Sequence, residues 1–322
     1  MNTGWRRFGR PSLGSWVSYG LGSQSQEMPA FLVLGTKPRS KSANYGNGFL
    51  PSQYQGTVLR DAGEPILNLS NPPGVTTRRQ RLSIDAINQL NRLRLEASGD
   101  DEIRARIASY EMAYRMQARA PELLSLDRET PETLKLYGIE DPARPSFARN
   151  CLLARRLVEK GVRFVQVFHG DWDHHTDIGK RLPSECRVTD QGSAALVKDL
   201  ARRGLLDDTL VVWGGELGRT PVAQKPMAAG GRVGRDHQIE AFTMWFAGGG
   251  VRPGQVIGDT NDLGCLPAED GWHVYDLQAT ILHALGLDHE RLTYRYEGRE
   301  FRLTDIHGEV KSELFATPAS RG

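Results

Sequence analysis

Residues 146–175 read SFARNCLLARRLVEKGVRFVQVFHGDWDHH. A helix is expected over Ser146–Lys160, stopped at Gly161, a residue suited to a left-handed helix end. The strand Val162–Phe168 follows directly, and a loop of carboxylates and imidazoles follows the strand. The same alternation continues downstream. Helix Gln191–Arg203 ends at Gly204 ahead of strand Thr209–Trp213, strand Ala241–Ala247 runs into Gly248-Gly249-Gly250, and helix Asp276–Leu285 ends at Gly286. Helices alternating with short β-branched runs imply an α/β fold, a mainly parallel sheet sandwiched by helices, with right-handed crossovers between parallel neighbours. Residues 294–303 alternate at period two about Glu297-Gly298 and read as a terminal β-hairpin.

Upstream of Ser146 the pattern is less regular. Pro29–Gly35 is a buried-strand pattern bounded by Pro and Gly. Gly9–Gly22, rich in Gly and Ser, reads as an irregular surface segment, and Gly35–Gly74 shows little periodicity. Arg78–Ala97 carries Leu82, Ala86, Ile87, Leu90, Leu93 and Ala97 at helical spacing. Asp100 caps a second helix with Ile103, Ile107, Tyr110 and Tyr114 on one face. The Arg and Glu residues on the other faces read as solvated surface. Pro121–Pro145, with four prolines, reads as a connector, so 78–145 is expected to be a helical insert or cap within one domain spanning residues 1–322.

Composition narrows the function classes. The chain has 322 residues, 41 Lys+Arg against 39 Asp+Glu, and a net charge of +2. That balance gives no electrostatic case for nucleic acid as a partner. With 39% apolar and 25% charged residues, a buried core is expected. The longest apolar runs, Phe164–Phe168 and Ala241–Ala247, are strand-sized, so no membrane span is expected. Cys151, Cys186 and Cys265 are far apart with no CxxC, which argues against a disulfide framework or a thiolate zinc site. Residues 1–10 carry charge with no apolar stretch behind them, so no signal peptide is expected.

Ligands of open α/β sheets bind beyond the carboxyl ends of the strands, and three such segments carry candidate chemistry. The first is His169–His175, where Asp171, Asp173 and three of the chain's eight histidines fall together. It reads either as a polar surface loop or as a mixed imidazole–carboxylate site of the kind that suits Zn²⁺ or Mn²⁺. The second is Trp213–Pro221. Glu216 is placed to face a cation, Arg219 is a planar fork suited to phosphate or sulfate, and Thr220 adds a hydroxyl; the alternative is a tight turn with a surface salt bridge. The third is Gly234–Gln238, closing a long segment (Gly214–Glu240) with little helix or strand pattern, of the kind usually functional or disordered. A segment beginning at Glu216 and ending at His237 can return both to one edge. Asp236 is a ligand or orients an imidazole. His273 is a ligand or a helix cap, His283 is expected to be partly buried, and His289 and His307 are expected at the surface. There is no Gly-x-Ser-x-Gly elbow.

Residues 172–175 (WDHH), 215–221 (GELGRTP), 234–237 (GRDH), 247–251 (AGGGV), 285–296 (LGLDHERLTYRY) and 301–305 (FRLTD) resemble DUF1501, a bacterial family of sulfatase-like proteins of unknown function. That family is similar to the alkaline-phosphatase-like superfamily. The resemblance implies an alkaline-phosphatase-like fold, one metal site from Asp173, His175 and His237, and Glu216 holding or orienting a second ion. It implies a divalent cofactor (Zn, Mn, Ca or Mg), an anion clamp at Arg219 and Thr220, and hydrolysis of a small phosphate or sulfate ester. It also implies an exported or periplasmic location. The superfamily's upstream nucleophile block does not precede Gly9, so the chain is expected to lack the fold's amino-terminal part. The alternative is a non-catalytic module that keeps the fold and binds an anion or a partner protein.

Overall fold

A computed structural model describes residues 1–5, 7–35, 41–60, 66, 71–224, 231–268 and 271–315. They group into two compact units, residues 2–169, and residues 170–315 together with Met1.

The first unit is built on a three-stranded parallel sheet. Its elements are α1 (Leu13–Leu21), β1 (Phe31–Gly35), β2 (Thr57–Val58), α2 (Thr77–Ser98), α3 (Asp101–Leu124), α4 (Pro131–Tyr137), α5 (Phe147–Glu159) and β3 (Phe164–Phe168). The strand order is β2-β1-β3, and β1 meets β3 in the register Phe31 to Phe164 through Gly35 to Phe168. The apolar residues of β1 are buried, as a strand covered on both faces requires. On α5, Ser146 accepts the Arg149 N–H at 3.0 Å, and Cys151, Leu152, Leu153 and Leu157 are buried. Burial raises the Cys151 thiol to about 12, so it stays protonated and inert. Gly161 closes the helix at φ 79°.

Three upstream expectations are corrected. Gly9–Gly22 is not an irregular surface segment, because α1 lies within it, capped by Ser12, with Trp16 and Val17 fully buried. Its small residues permit close packing; a Cβ on Gly14 would lie 2.5 Å from the Phe31 ring and 2.8 Å from that of Phe164. Pro121–Pro145 is not a bare connector. α3 continues through Pro121 to Leu124, with Ala120, Leu123 and Leu124 buried, and α4 starts at Pro131 under a Thr130 cap. Burial outweighs the helix-breaking tendency of proline. Strand β2 lies in the stretch read as aperiodic, of which 36–40, 61–65 and 67–70 fall outside the described residues.

The second unit contains α6 (Ile178–Arg202), β4 (Val211–Gly214), β5 (Gly218–Arg219), β6 (His237–Gln238), β7 (Met244–Ala247), α7 (Val274–Ala284), β8 (Tyr294–Tyr296) and β9 (Arg299–Phe301). Here the expectation of a mainly parallel sheet fails. β4 and β7 pair antiparallel, from Val211 with Ala247 to Gly214 with Met244. Among the described residues between them there is no helix of the kind that crosses over between parallel strands. The terminal hairpin β8–β9 forms as expected, with Glu297 and Gly298 both at positive φ, the conformation of a type I′ turn. His289 is buried, its Nδ1 3.0 Å from Thr304 Oγ1, while His283 is exposed on α7. Both differ from expectation. Among the described residues, no helix is long and apolar enough to cross a membrane.

Candidate metal centre

The loop after β3 and the segment ending in β6 are paired backbone to backbone. Thr176 bridges Val233, the Arg235 N–H donates to the His174 carbonyl at 3.0 Å, and the Ile178 N–H to that of Val233 at 3.3 Å. Gly234 makes this approach possible, because a Cβ there would overlap the His175 backbone. A second ladder completes the arrangement. β5 pairs with β6, setting Arg219 opposite His237, and the Thr220 N–H donates to the Asp236 carbonyl at 2.9 Å. Residues far apart in sequence are thereby fixed at one place.

Asp173, His175 and His237 each present one ligand atom there, all within 4.8 Å of one another. Asp173 Oδ1 lies 2.8 Å from His175 Nε2 and 2.9 Å from His237 Nε2, and the two Nε2 atoms are 3.1 Å apart. A tetrahedral ion with bonds of about 2.0–2.1 Å separates its ligand atoms by about 3.3 Å, so the triangle needs only a small expansion to accept one. Two imidazole nitrogens with one carboxylate oxygen suit Zn²⁺ or Mn²⁺ better than Ca²⁺ or Mg²⁺, which take oxygen sets. His175 Nδ1 sits 2.8 Å from Gln224 Oε1. With the ring proton on Nδ1, donated to that oxygen, the Nε2 lone pair faces the site.

Arg219 completes the group. Its Nη1 donates to Asp173 Oδ1 at 2.7 Å and its Nη2 to Glu216 Oε1 at 3.4 Å. Burial raises the Asp173 pKa, but hydrogen bonds from His237 and Arg219, with the charges of Arg219 and His175, outweigh it. The carboxyl is held well below the usual carboxylate range. Asp173 is therefore ionised and ready to ligate at neutral pH.

The other candidates lie outside the triangle. Glu216 is 66% exposed and reaches Arg219. Asp236 Oδ1 accepts the backbone N–H of His237 at 2.7 Å and lies 3.9 Å from His175 Nδ1, so it braces the backbone beside the triangle. Thr220 Oγ1 accepts the Asp236 N–H at 3.2 Å and donates to the Val222 carbonyl at 3.2 Å, which braces the loop. Asp171 is exposed at φ 67°. His273 is a helix cap: its Nδ1 accepts the Tyr275 N–H at 3.2 Å, and Asp276 accepts the His273 N–H at 2.9 Å.

Sequence reasoning missed Gln224 and an aromatic cluster. Trp213 stacks on its cross-strand neighbour Trp245 at 6.2 Å and meets the edge of Trp172, the residue before Asp173, at 6.2 Å. Nothing around Gln224 could have flagged it. The tryptophans each sit at or beside a strand end, and that position was their only signal.

The profile of the family described as "Protein of unknown function (DUF1501)" matches residues 1–315. No curated protein and no solved structure matches the chain significantly.

Proposed function

The chain is a member of the DUF1501 family, and on that footing we propose that Asp173, His175 and His237 hold one divalent cation, Zn²⁺ or Mn²⁺, and that the protein hydrolyses a small phosphate or sulfate ester beside it. The observation that supports this is the convergence of one ionised carboxylate oxygen and two imidazole Nε2 atoms on a single point. When bound, such a cation polarises an ester oxygen and lowers the pKa of a coordinated water. The protein's own groups supply the rest. Gln224 fixes the tautomer of His175, Asp236 steadies His237, and the Arg219 guanidinium, part exposed beside the triangle, offers a planar fork to the anionic oxygens of an ester. Glu216, across Arg219, is placed to orient the fork or to meet a second ion. The proposal extends to the superfamily: an acidic residue after a strand, and a histidine ahead of the next one, resemble the alkaline-phosphatase-like order of ligands.

The test is metal analysis of the purified protein joined to hydrolysis of an aryl phosphate and an aryl sulfate, since Trp213 and Trp245 present flat, partly exposed rings nearby. About one equivalent of tightly bound metal and measurable turnover are expected, both lost in Asp173→Asn and His237→Ala. A folded protein without stoichiometric metal would reject the reading. Stoichiometric metal without turnover on either ester would favour the non-catalytic, anion-binding module. That second reading is supported by Arg219 being already ion-paired to Asp173 at 2.7 Å.

A further inference from the structure

Helix α2 is built inside out. Its inner face meets α3 through polar groups. Asn88 donates to Glu111 at 2.7 Å, Arg81 pairs with Glu111 at 3.0 Å, Gln80 bonds Gln117, and Asn88 and Asn91 are buried. Four of its six large apolar residues point the other way, Ile84 and Leu95 being half-buried: Leu82, Leu90 and Leu93 are 61%, 66% and 59% exposed, with Ile87 on the flank at 43%. Ala86 and Ala97, also exposed, complete the stripe. The stripe recurs every three to four residues along a helix of 22 residues, about 33 Å long. Contiguous apolar surface of this kind marks an interaction site.

From this face we infer that α2 is a dimer interface, and that its occupant is α2 of a second copy of this chain, packed antiparallel. Charge carries the choice of partner. Arg78 and Arg79 stand in the first turn, where no acidic residue accompanies them, and Glu96 and Asp100 stand at the far end. Both placements oppose the helix dipole. An antiparallel copy sets the basic start of each helix against the acidic end of the other. With the two-fold axis near Leu90, Leu82 faces Ala97 of the partner subunit and Ala86 faces Leu93 of the partner subunit. Asp85 and Arg92 lie on one flank of the stripe, and antiparallel packing brings like flanks together. The arrangement is self-complementary, as a two-fold interface must be, and it does not depend on the metal centre.

Light scattering and sedimentation of the full chain at tens of micromolar test it. A dimer is expected, weakened at least ten-fold by Leu90→Glu with the helical circular dichroism unchanged. Arg92→Asp should weaken the dimer, and Arg92→Asp with Asp85→Arg should restore it. A wild-type monomer would overturn the inference, whether the stripe is covered by the same chain, by a lipid surface or by an unrelated protein. So would a dimer indifferent to Leu90→Glu, or one in which Asp85→Arg fails to rescue Arg92→Asp.

Discussion

Three nitrogen groups converge on Asp173 Oδ1: the Nε2 atoms of His175 and His237 and the Arg219 guanidinium. Each ligand also depends on a residue that would not touch the ion. Gln224→Ala frees the His175 ring to turn, and metal affinity should fall about ten-fold, the lower end of the range for lost outer partners; competition with a chelator measures it. Gly234→Ala forces the 231–238 segment off the His174–His175 backbone and should abolish metal uptake while leaving the helical circular dichroism intact. At this scale the gathering of Asp173, His175 and His237 was legible, because imidazoles and carboxylates concentrated in a strand-end loop stand out in sequence. Gln224 was not, since an amide needs no particular spacing to reach a ring nitrogen. His289 was misread for a related reason. Its charged neighbours Asp288 and Glu290 suggested surface, but the chain folds it inward onto Thr304.

Among the elements, α1 shows why composition misled. Gly14, Ser15 and Ser18 suggest an irregular segment, yet in a helix pressed onto β1 and β3 the serines are buried and Gly14 leaves no room for a side chain. Gly14→Ala should cost about 1–3 kcal/mol through overpacking against Phe31 and Phe164, read from urea unfolding. On α5, Arg155 is buried with its Nη2 2.8 Å from Glu129, itself 7% exposed. Glu129 also meets Arg156 at 2.7 Å, so Arg155→Met removes one of its two guanidinium partners and should cost less than the about 3–5 kcal/mol of a fully broken buried pair, measurable in the same experiment. Helices α2, α3, α5 and α7 and strand β1 were legible because periodicity and capping are local. The antiparallel pairing of β4 with β7 was not, because strand direction is decided by the path of the chain between them.

At the level of the whole molecule, two linked equilibria should set stability. Burial lowers the His289 pKa, with Thr304, Asp288, Glu290 and Arg302 around it. The unfolded chain therefore binds the extra proton first. The contribution is complete above the ordinary imidazole value of ~6.5 and is lost as the pH falls from there toward the lowered folded value. Urea midpoints taken on either side of ~6.5 should differ, and His289→Gln should narrow the difference. A cation that binds only the folded state stabilises by mass action, about 2.7 kcal/mol at a hundred times its dissociation constant. Zn²⁺ or Mn²⁺ should raise the melting temperature of the wild type and leave that of His237→Ala unmoved.

The two-residue ladder that sets Arg219 against His237 has a further consequence. Side chains alternate across a strand, so sliding one strand by a single position would turn His237 away and bring Gln238 round in its place. Every ligand would still be encoded, and the chelating geometry would be gone. Single-residue insertions or deletions close to Gly218–Arg219 or His237–Gln238 should therefore be far more damaging than many conservative exchanges within those strands, and variation in the length of this excursion should accumulate away from its two ends.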